Sequence, residues 1–106
     1  MSQTITAMDP TVLRKAAGEA VGASKVLANE DRLRLLGQLS HREMSVADLE
    51  EALAIHQPTL SQQLGVLRTE GIVNMRREGK RIFYSIAHPD VMQVLKILYR
   101  VYGTEK

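Results

Sequence analysis

The stretch Gln57–Gly71, QPTLSQQLGVLRTEG, has a proline near its start, a glycine at its end and leucines spaced between them. Pro58 stands where a helix tolerates a missing N–H, and Gly71 where a helix end favours glycine. Leu60, Leu64 and Leu67 fall at i, i+4 and i+7, a narrow apolar stripe that anchors one side of a helix to a core. Pro58, Gln62, Gly65 and Thr69 then project to the opposite side, with Thr59 and Ser61 on its shoulders. The outer face is short-chained and amide-rich, and it is not acidic.

Both flanks of this helix are informative. Upstream, Ser45 opens SVADLEEAL, and Asp48 three residues later forms the pattern of a capping box, with aspartate in place of the usual Glu or Gln. A helix to Leu53 follows, and Ala54-Ile55-His56 has room only for a turn. Downstream, IVNMRREGKRIFYSI alternates loosely between apolar and basic residues around Glu78-Gly79, which predicts a hairpin with strands over 72–77 and 81–86. Helix, short turn, leucine-anchored helix and basic hairpin in this order describe a winged helix-turn-helix.

The chemistry of such a unit is DNA recognition. Carboxamides such as those of Gln62 and Gln63 can pair bidentately with adenine, and Thr59 can offer its methyl to thymine or its hydroxyl to either base. Arg77, Lys80 and Arg81 on the hairpin supply the charge-based part of affinity, which is blind to sequence. Taken singly, exposed glutamines are usually just solvated and a basic hairpin is often only a soluble edge. In this order and spacing they point together to DNA.

Farther out, a helix is expected from Pro10 through about Ala28, with Val12, Leu13, Ala16, Ala20, Val26 and Leu27 available for packing. A second should run from about Glu30 to Ser40, burying Leu33, Leu36 and Leu39. Gly37 is its misfit, because glycine inside a helix costs roughly 1 kcal/mol relative to alanine. Pro89 starts a last helix whose Val91, Val94, Leu95, Leu98, Val101 and Tyr102 form a stripe long for so small a chain. The predicted class is mainly α with a β-hairpin wing, in the order α-α-α-α-β-β-α. Residues 1–10 read as a flexible start, 11–103 as the domain and 104–106 as a tail.

Composition agrees. A chain of 106 residues supports one modest core, and an aromatic content of 4% with plentiful Ala, Leu, Glu, Gln, Lys and Arg favours helices. No apolar run reaches the roughly 18 residues of a membrane span, and MSQTITAMDP lacks the basic and apolar regions of a secretory leader. A cytoplasmic location is expected. Without cysteine there is no disulfide, thiolate metal site or thiol switch. The net charge is only +2, but Gln57–Ile86 carries five Lys or Arg (Arg68, Arg76, Arg77, Lys80, Arg81) against Glu70 and Glu78. One segment holds the basic surplus. An enzyme is not expected: no nucleophile stands beside a base, no carboxylates pair in a plausible cleft and no glycine loop is built for phosphate.

The run from Ala28 to Ile86 resembles the ArsR/SmtB family of dimeric bacterial transcriptional repressors, through ANEDRLRLL, SVADLEEAL, QPTLSQQLGVLRTEGIV and the arginine-rich wing ending in FYSI. It is most similar to the branch containing BigR, SqrR and HlyU-like proteins, whose recognition helices carry a similar Gln-Pro/Ser-x-Leu-Ser-Gln-x-Leu pattern. The resemblance implies that Gln57, Thr59, Ser61, Gln62 and Gln63 lie on the DNA-reading helix and that Ser45 is placed to touch phosphate. Arg77, Lys80 and Arg81 would reach the flanking backbone or minor groove. It also implies a homodimer built from the first and last helices and a palindromic operator in double-stranded DNA. A core role for the last helix is the alternative.

The family's switches can be matched position by position. SVADLEEAL has no Cys for a metal site on the helix before the reading helix. His88 and Asp90 stand at the start of the last helix, but Lys96–Tyr102 offers no His or carboxylate to complete a zinc site. No metal or cofactor is expected. The branch's dithiol positions fall by resemblance on Gly37 and Gly103, so its thiol sensing does not transfer. His41, His56 and His88 are scattered, although His56 in the turn before the reading helix could lend DNA binding a pH dependence. The effector stays undefined at this level. An anti-silencer, an effector-independent regulator or a protein-interaction module without DNA binding are the other readings of the same fold.

Overall fold

In the computed structural model, which describes residues 9–103, local capping chemistry sets most of the helix boundaries. Helix α1 (Pro10–Leu27) starts on a proline at its first turn, so Pro10 belongs to the folded domain. The rest of the expected flexible start, apart from Asp9, and the 104–106 tail lie outside the described residues. Helix α2 (Glu30–Leu39) opens at Asn29, whose side-chain oxygen accepts from the Arg32 backbone N–H at 3.0 Å. Glu30 and Asp31 complement the positive end of its dipole.

The hydrophobic face of α2 is wider than its sequence spacing predicts. Leu35, Leu36 and Leu39 are buried, whereas Leu33 packs only at the edge of the core. The helix touches α1, α3 (Val46–Leu53), α4 (Thr59–Thr69) and β3 (Arg81–Ile86). A helix covered on several sides buries a broader arc than a single stripe.

The capping box forms as expected. Asp48 N–H donates to Ser45 Oγ at 3.0 Å, and Ser45 N–H donates to the Asp48 carboxylate at 3.4 Å. Helix α3 ends at Ala54, held in the left-handed region at φ 55°, and the turn is pinned by buried Ile55. Helix α4 closes in a Schellman motif: Gly71 N–H donates to Arg68 O at 3.0 Å and Ile72 N–H to Leu67 O at 2.9 Å. Gly71 supplies the required positive φ of 74°.

The wing consists of β2 (Val73–Glu78) and β3, antiparallel with Glu78 opposite Arg81. Gly79 and Lys80 form the two-residue turn, and Gly79 at φ 62° meets the demand of a type II′ hairpin. A further strand, β1 (Met44–Ser45), pairs with β3 and makes a three-stranded sheet in the order β1-β3-β2. The order is therefore α-α-β-α-α-β-β-α rather than the seven-element order expected. Two residues cannot display a period-2 pattern, so β1 exists only because Met44 and Ser45 meet Tyr84 and Phe83 across space.

The core gathers Leu49, Leu60, Leu64, Leu67, Tyr84, Val91 and Leu95 with the α2 leucines. Helix α5 (Pro89–Tyr102) contributes Val91 and Leu95 from one face. Its Val94, Ile97 and Val101 are exposed, as are Val12, Leu13 and Val21 of α1, a helix with no buried residue at all.

Candidate nucleic-acid interface

Leu60, Leu64 and Leu67 are at most 1% exposed, so α4 is locked about its own axis. Thr59, Ser61 and Gln62 are consequently presented to solvent together. Gln57 is exposed just ahead of the helix, and its side-chain oxygen accepts from Ser61 N–H at 3.1 Å. Pro58, the N-cap residue, has no side-chain cap to offer. Gln57 therefore satisfies one free N–H of the first turn and keeps its amide NH2 for other partners.

Gln63 lies on α4 and Ser45 at the start of α3, and both side chains are engaged within the chain. Gln63 is half-buried, and its Oε1 accepts from Arg32 Nη1 at 2.8 Å. Ser45 is 2% exposed, and its hydroxyl oxygen serves both the Asp48 N–H and, at 3.3 Å, Arg81 Nη2. In each case an intramolecular donor already claims the polar atom that sequence reasoning assigned to DNA. Burial withdraws the Ser45 side chain from the surface, whereas Gln63 on α4 is only partly covered.

Arg32 is the positioning residue that sequence reasoning missed. Its Nε donates to Val26 O at 2.5 Å and its Nη2 to Lys25 O at 3.4 Å, while Nη1 reaches Gln63. One guanidinium thus ties the C-terminal carbonyls of α1 to the exposed-face helix α4. Only the local part of this arrangement, Asn29 capping the helix that bears Arg32, has a short-range signature.

On the wing, the cations divide by partner. Arg76 makes a bidentate pair with Glu43, 2.8 Å from Nε and from Nη2, and reaches Glu78 at 3.2 Å. The hydrogen bonds to Arg76 hold the Glu43 carboxyl below its ordinary range, and those to Glu43 and Glu78 raise Arg76. The Arg76 and Arg81 guanidinium groups lie 4.6 Å and 4.9 Å from the Phe83 ring centre. Arg81 also approaches Asp48 at 3.9 Å. Arg77 and Lys80 are exposed, and their side chains have no hydrogen bond or ion pair among the described residues. Between wing and α4 lies a groove of about 430 Å³ lined in part by Gln57, Ser61, Lys80 and Arg81.

Elsewhere, His56 Nδ1 lies 3.2 Å from Glu50, and His88 caps α5 by accepting from Asp90 N–H at 3.3 Å. Among the described residues no three His, Cys, Asp or Glu side chains converge in a metal-binding arrangement. Gly37 and Gly103 both lie against Tyr99: a Cβ at Gly37 would stand 3.0 Å from the Tyr99 hydroxyl, and one at Gly103 2.5 Å from the Tyr99 carbonyl oxygen. Burial pushes the Tyr99 phenol up.

The family model for bacterial regulatory proteins of the arsR family matches residues 29–75, from the Asn29 cap through α4 into the wing. Over 90 residues the chain is 47% identical to the biofilm growth-associated repressor of Agrobacterium fabrum, covering 85% of this chain and 77% of that one. The chain belongs to the ArsR family. Among solved structures, the transcriptional repressor BigR from Xylella fastidiosa superposes with a TM-score of 0.84 at 41% identity, covering 92% of this chain and all of that one (100%). A homodimeric winged helix-turn-helix DNA-binding domain from Mycobacterium bovis superposes with a TM-score of 0.72 at 33% identity, covering 93% and 91% of the two chains. As an ArsR-family member with this fold, the chain is a DNA-binding transcriptional regulator and not an enzyme.

Proposed function

We propose that this ArsR-family regulator is a homodimeric, cytoplasmic repressor of a palindromic operator. Helix α4 enters the major groove, and the wing rests on the flanking backbone. Thr59, Ser61 and Gln62 face base edges, with the free amide of Gln57 beside them. Arg77 and Lys80 meet phosphates, and Arg81 joins them from its seat on Ser45 and Phe83. Ser45 and Gln63 act one step back, by capping α3 and by holding Arg32.

The observation that carries this reading is the pairing of a leucine-locked helix, with a short polar outer face, and two wing cations that have no partner among the described residues. A cation already committed to carboxylates would release little free energy on meeting phosphate, whereas Arg77 and Lys80, with no carboxylate partner among the described residues, exchange water and counterions. Dimerisation is supported by the apolar residues that α1 and α5 leave exposed, and the Mycobacterium bovis relative is itself homodimeric. Repression is the activity named for the Agrobacterium and Xylella relatives. A location with the chromosome suits an operator-binding protein, and no helix among the described residues is long and apolar enough to cross a membrane.

Fluorescence anisotropy against the promoter region of its own gene, at several salt concentrations, tests the reading. Saturable binding that prefers a two-fold symmetric site, with half-sites about one helical turn apart and affinity falling steeply with salt, is expected. Equal affinity for random duplex would overturn sequence-specific repression, and a monomer at working concentration would overturn the palindrome.

A further inference from the structure

Between α2 and α5, away from the nucleic-acid face, lies a cleft of about 470 Å³, within the range of small-molecule sites. Its apolar wall is made by Leu53, Met92, Leu95 and the ring of Tyr99. Lys96, Arg34 and His41 stand around it, and no Asp or Glu among the described residues lines it. Arg34 is partly committed, donating to Leu53 O at 2.6 Å and lying 3.5 Å from Asp31. Lys96 is exposed and has no partner among the described residues.

We propose that this cleft binds a compact organic monoanion, a carboxylate on an aromatic or short aliphatic body, with the carboxylate at Lys96 and the body against Met92, Leu95 and Tyr99. Two features support this assignment. Apolar walls beside a cation with no counter-charge favour an amphipathic anion over a neutral molecule or a bare inorganic anion: the body gains from burial and the head from the ammonium. The cleft also avoids the unpartnered apolar face of α5. At ~3.6 residues per turn, Met92, Lys96 and Tyr99 share one flank, while Val94, Ile97 and Val101 lie on the other. Gly37 shapes the cleft by its missing side chain. Tyr99 lies across it with its hydroxyl donating to Leu33 O at 2.7 Å, and any larger residue would push the ring outward.

The proposal goes beyond operator binding and is tested without DNA. Full-length protein is titrated with 2-naphthoate, its neutral isostere 2-naphthamide, octanoate and inorganic phosphate, while backbone amide resonances are followed by NMR. One or both carboxylates should saturate with shifts at Gly37, Gln38, Ser40 and Lys96, and naphthamide and phosphate should bind at least about tenfold more weakly. Lys96→Gln, at an exposed position, should weaken carboxylate binding about tenfold and leave naphthamide unaffected. Met92→Trp should abolish both by filling the cleft. Absence of saturation by either carboxylate, equal affinity for naphthoate and naphthamide, wild-type affinity in Lys96→Gln, or shifts confined to Val94, Ile97 and Val101 would each overturn it. Operator titration of ligand-free Lys96→Gln should match wild type, so failure of DNA binding and failure of this site are separate results.

Discussion

Gly37 is accommodated in the interior of α2 by Tyr99, whose hydroxyl occupies the space next to the missing Cβ. Alanine there would gain about 1 kcal/mol in helix propensity and would displace a phenol whose hydrogen bond to Leu33 O contributes about 0.5–1.5 kcal/mol. In urea melts Gly37→Ala should therefore change stability little in the wild-type background. In a Tyr99→Phe background, where the ring is released from Leu33, the same change should stabilise by about 1 kcal/mol. Equal effects in both backgrounds would show that the ring and the glycine are not coupled. On the outer face of α4, Gln62→Ala should cost about 1–3 kcal/mol on the operator and little on random duplex, read as a loss of discrimination in competitive anisotropy. The Gln62 prediction was legible in the sequence, because a three-leucine stripe fixes which residues point away from it. The different fate of neighbouring Gln63 was not, because its partner Arg32 lies 31 positions earlier in the chain.

At the scale of elements, the wing separates charges that reach outward from charges that hold it together. Arg77→Ala or Lys80→Ala should weaken operator and random duplex alike, each reducing the slope of log affinity against log salt by about 1. Arg76 belongs to the second group, since its bridge to Glu43 ties β2 to the segment just before β1. Because the folded state holds the Glu43 carboxyl below its ordinary value of 4.5, the bridge stabilises above that pH and is lost as pH falls through the depressed value. A carbon-detected NMR titration of the Glu43 carboxyl should give a midpoint below 4.5, and Arg76→Ala should return it to the ordinary range. The wing was visible in the sequence as a basic hairpin around Glu78-Gly79. Which of its cations remained free was not visible, because that depends on where Glu43 and Phe83 come to rest.

At the scale of the whole molecule, α1 and α5 present apolar side chains that nothing among the described residues covers. Val21 is 54% exposed and Val101 56%. If these faces form the dimer, Val101→Glu should shift sedimentation velocity from dimer to monomer. The same variant should weaken operator binding by orders of magnitude, because two half-sites joined through one protein reinforce each other. Far-ultraviolet circular dichroism should change little, since Val101 lies outside the core. A dimer that survives this substitution would place the interface elsewhere. The long stripe on α5 was read from sequence as either interface or core, and the fold divides it: Val91 and Leu95 go to the core, while Val94 and Val101 stay outside.

Determined by the sequence alone were the features encoded over a few neighbouring residues: the leucine stripe of α4, the Ser45–Asp48 capping box, the Gly71 helix end, the Gly79 turn and the basic wing. Each depends on backbone geometry repeating within one or two turns, so spacing suffices to reveal it. Only the tertiary structure decided what depends on distant segments meeting. It created the two-residue strand β1, buried the Ser45 hydroxyl, assigned Gln63 to Arg32 and Arg76 to Glu43, and laid Tyr99 against Gly37. A polar atom has a limited number of hydrogen bonds to make, and in a folded chain the nearest donor or acceptor in space takes them, whatever its distance along the sequence.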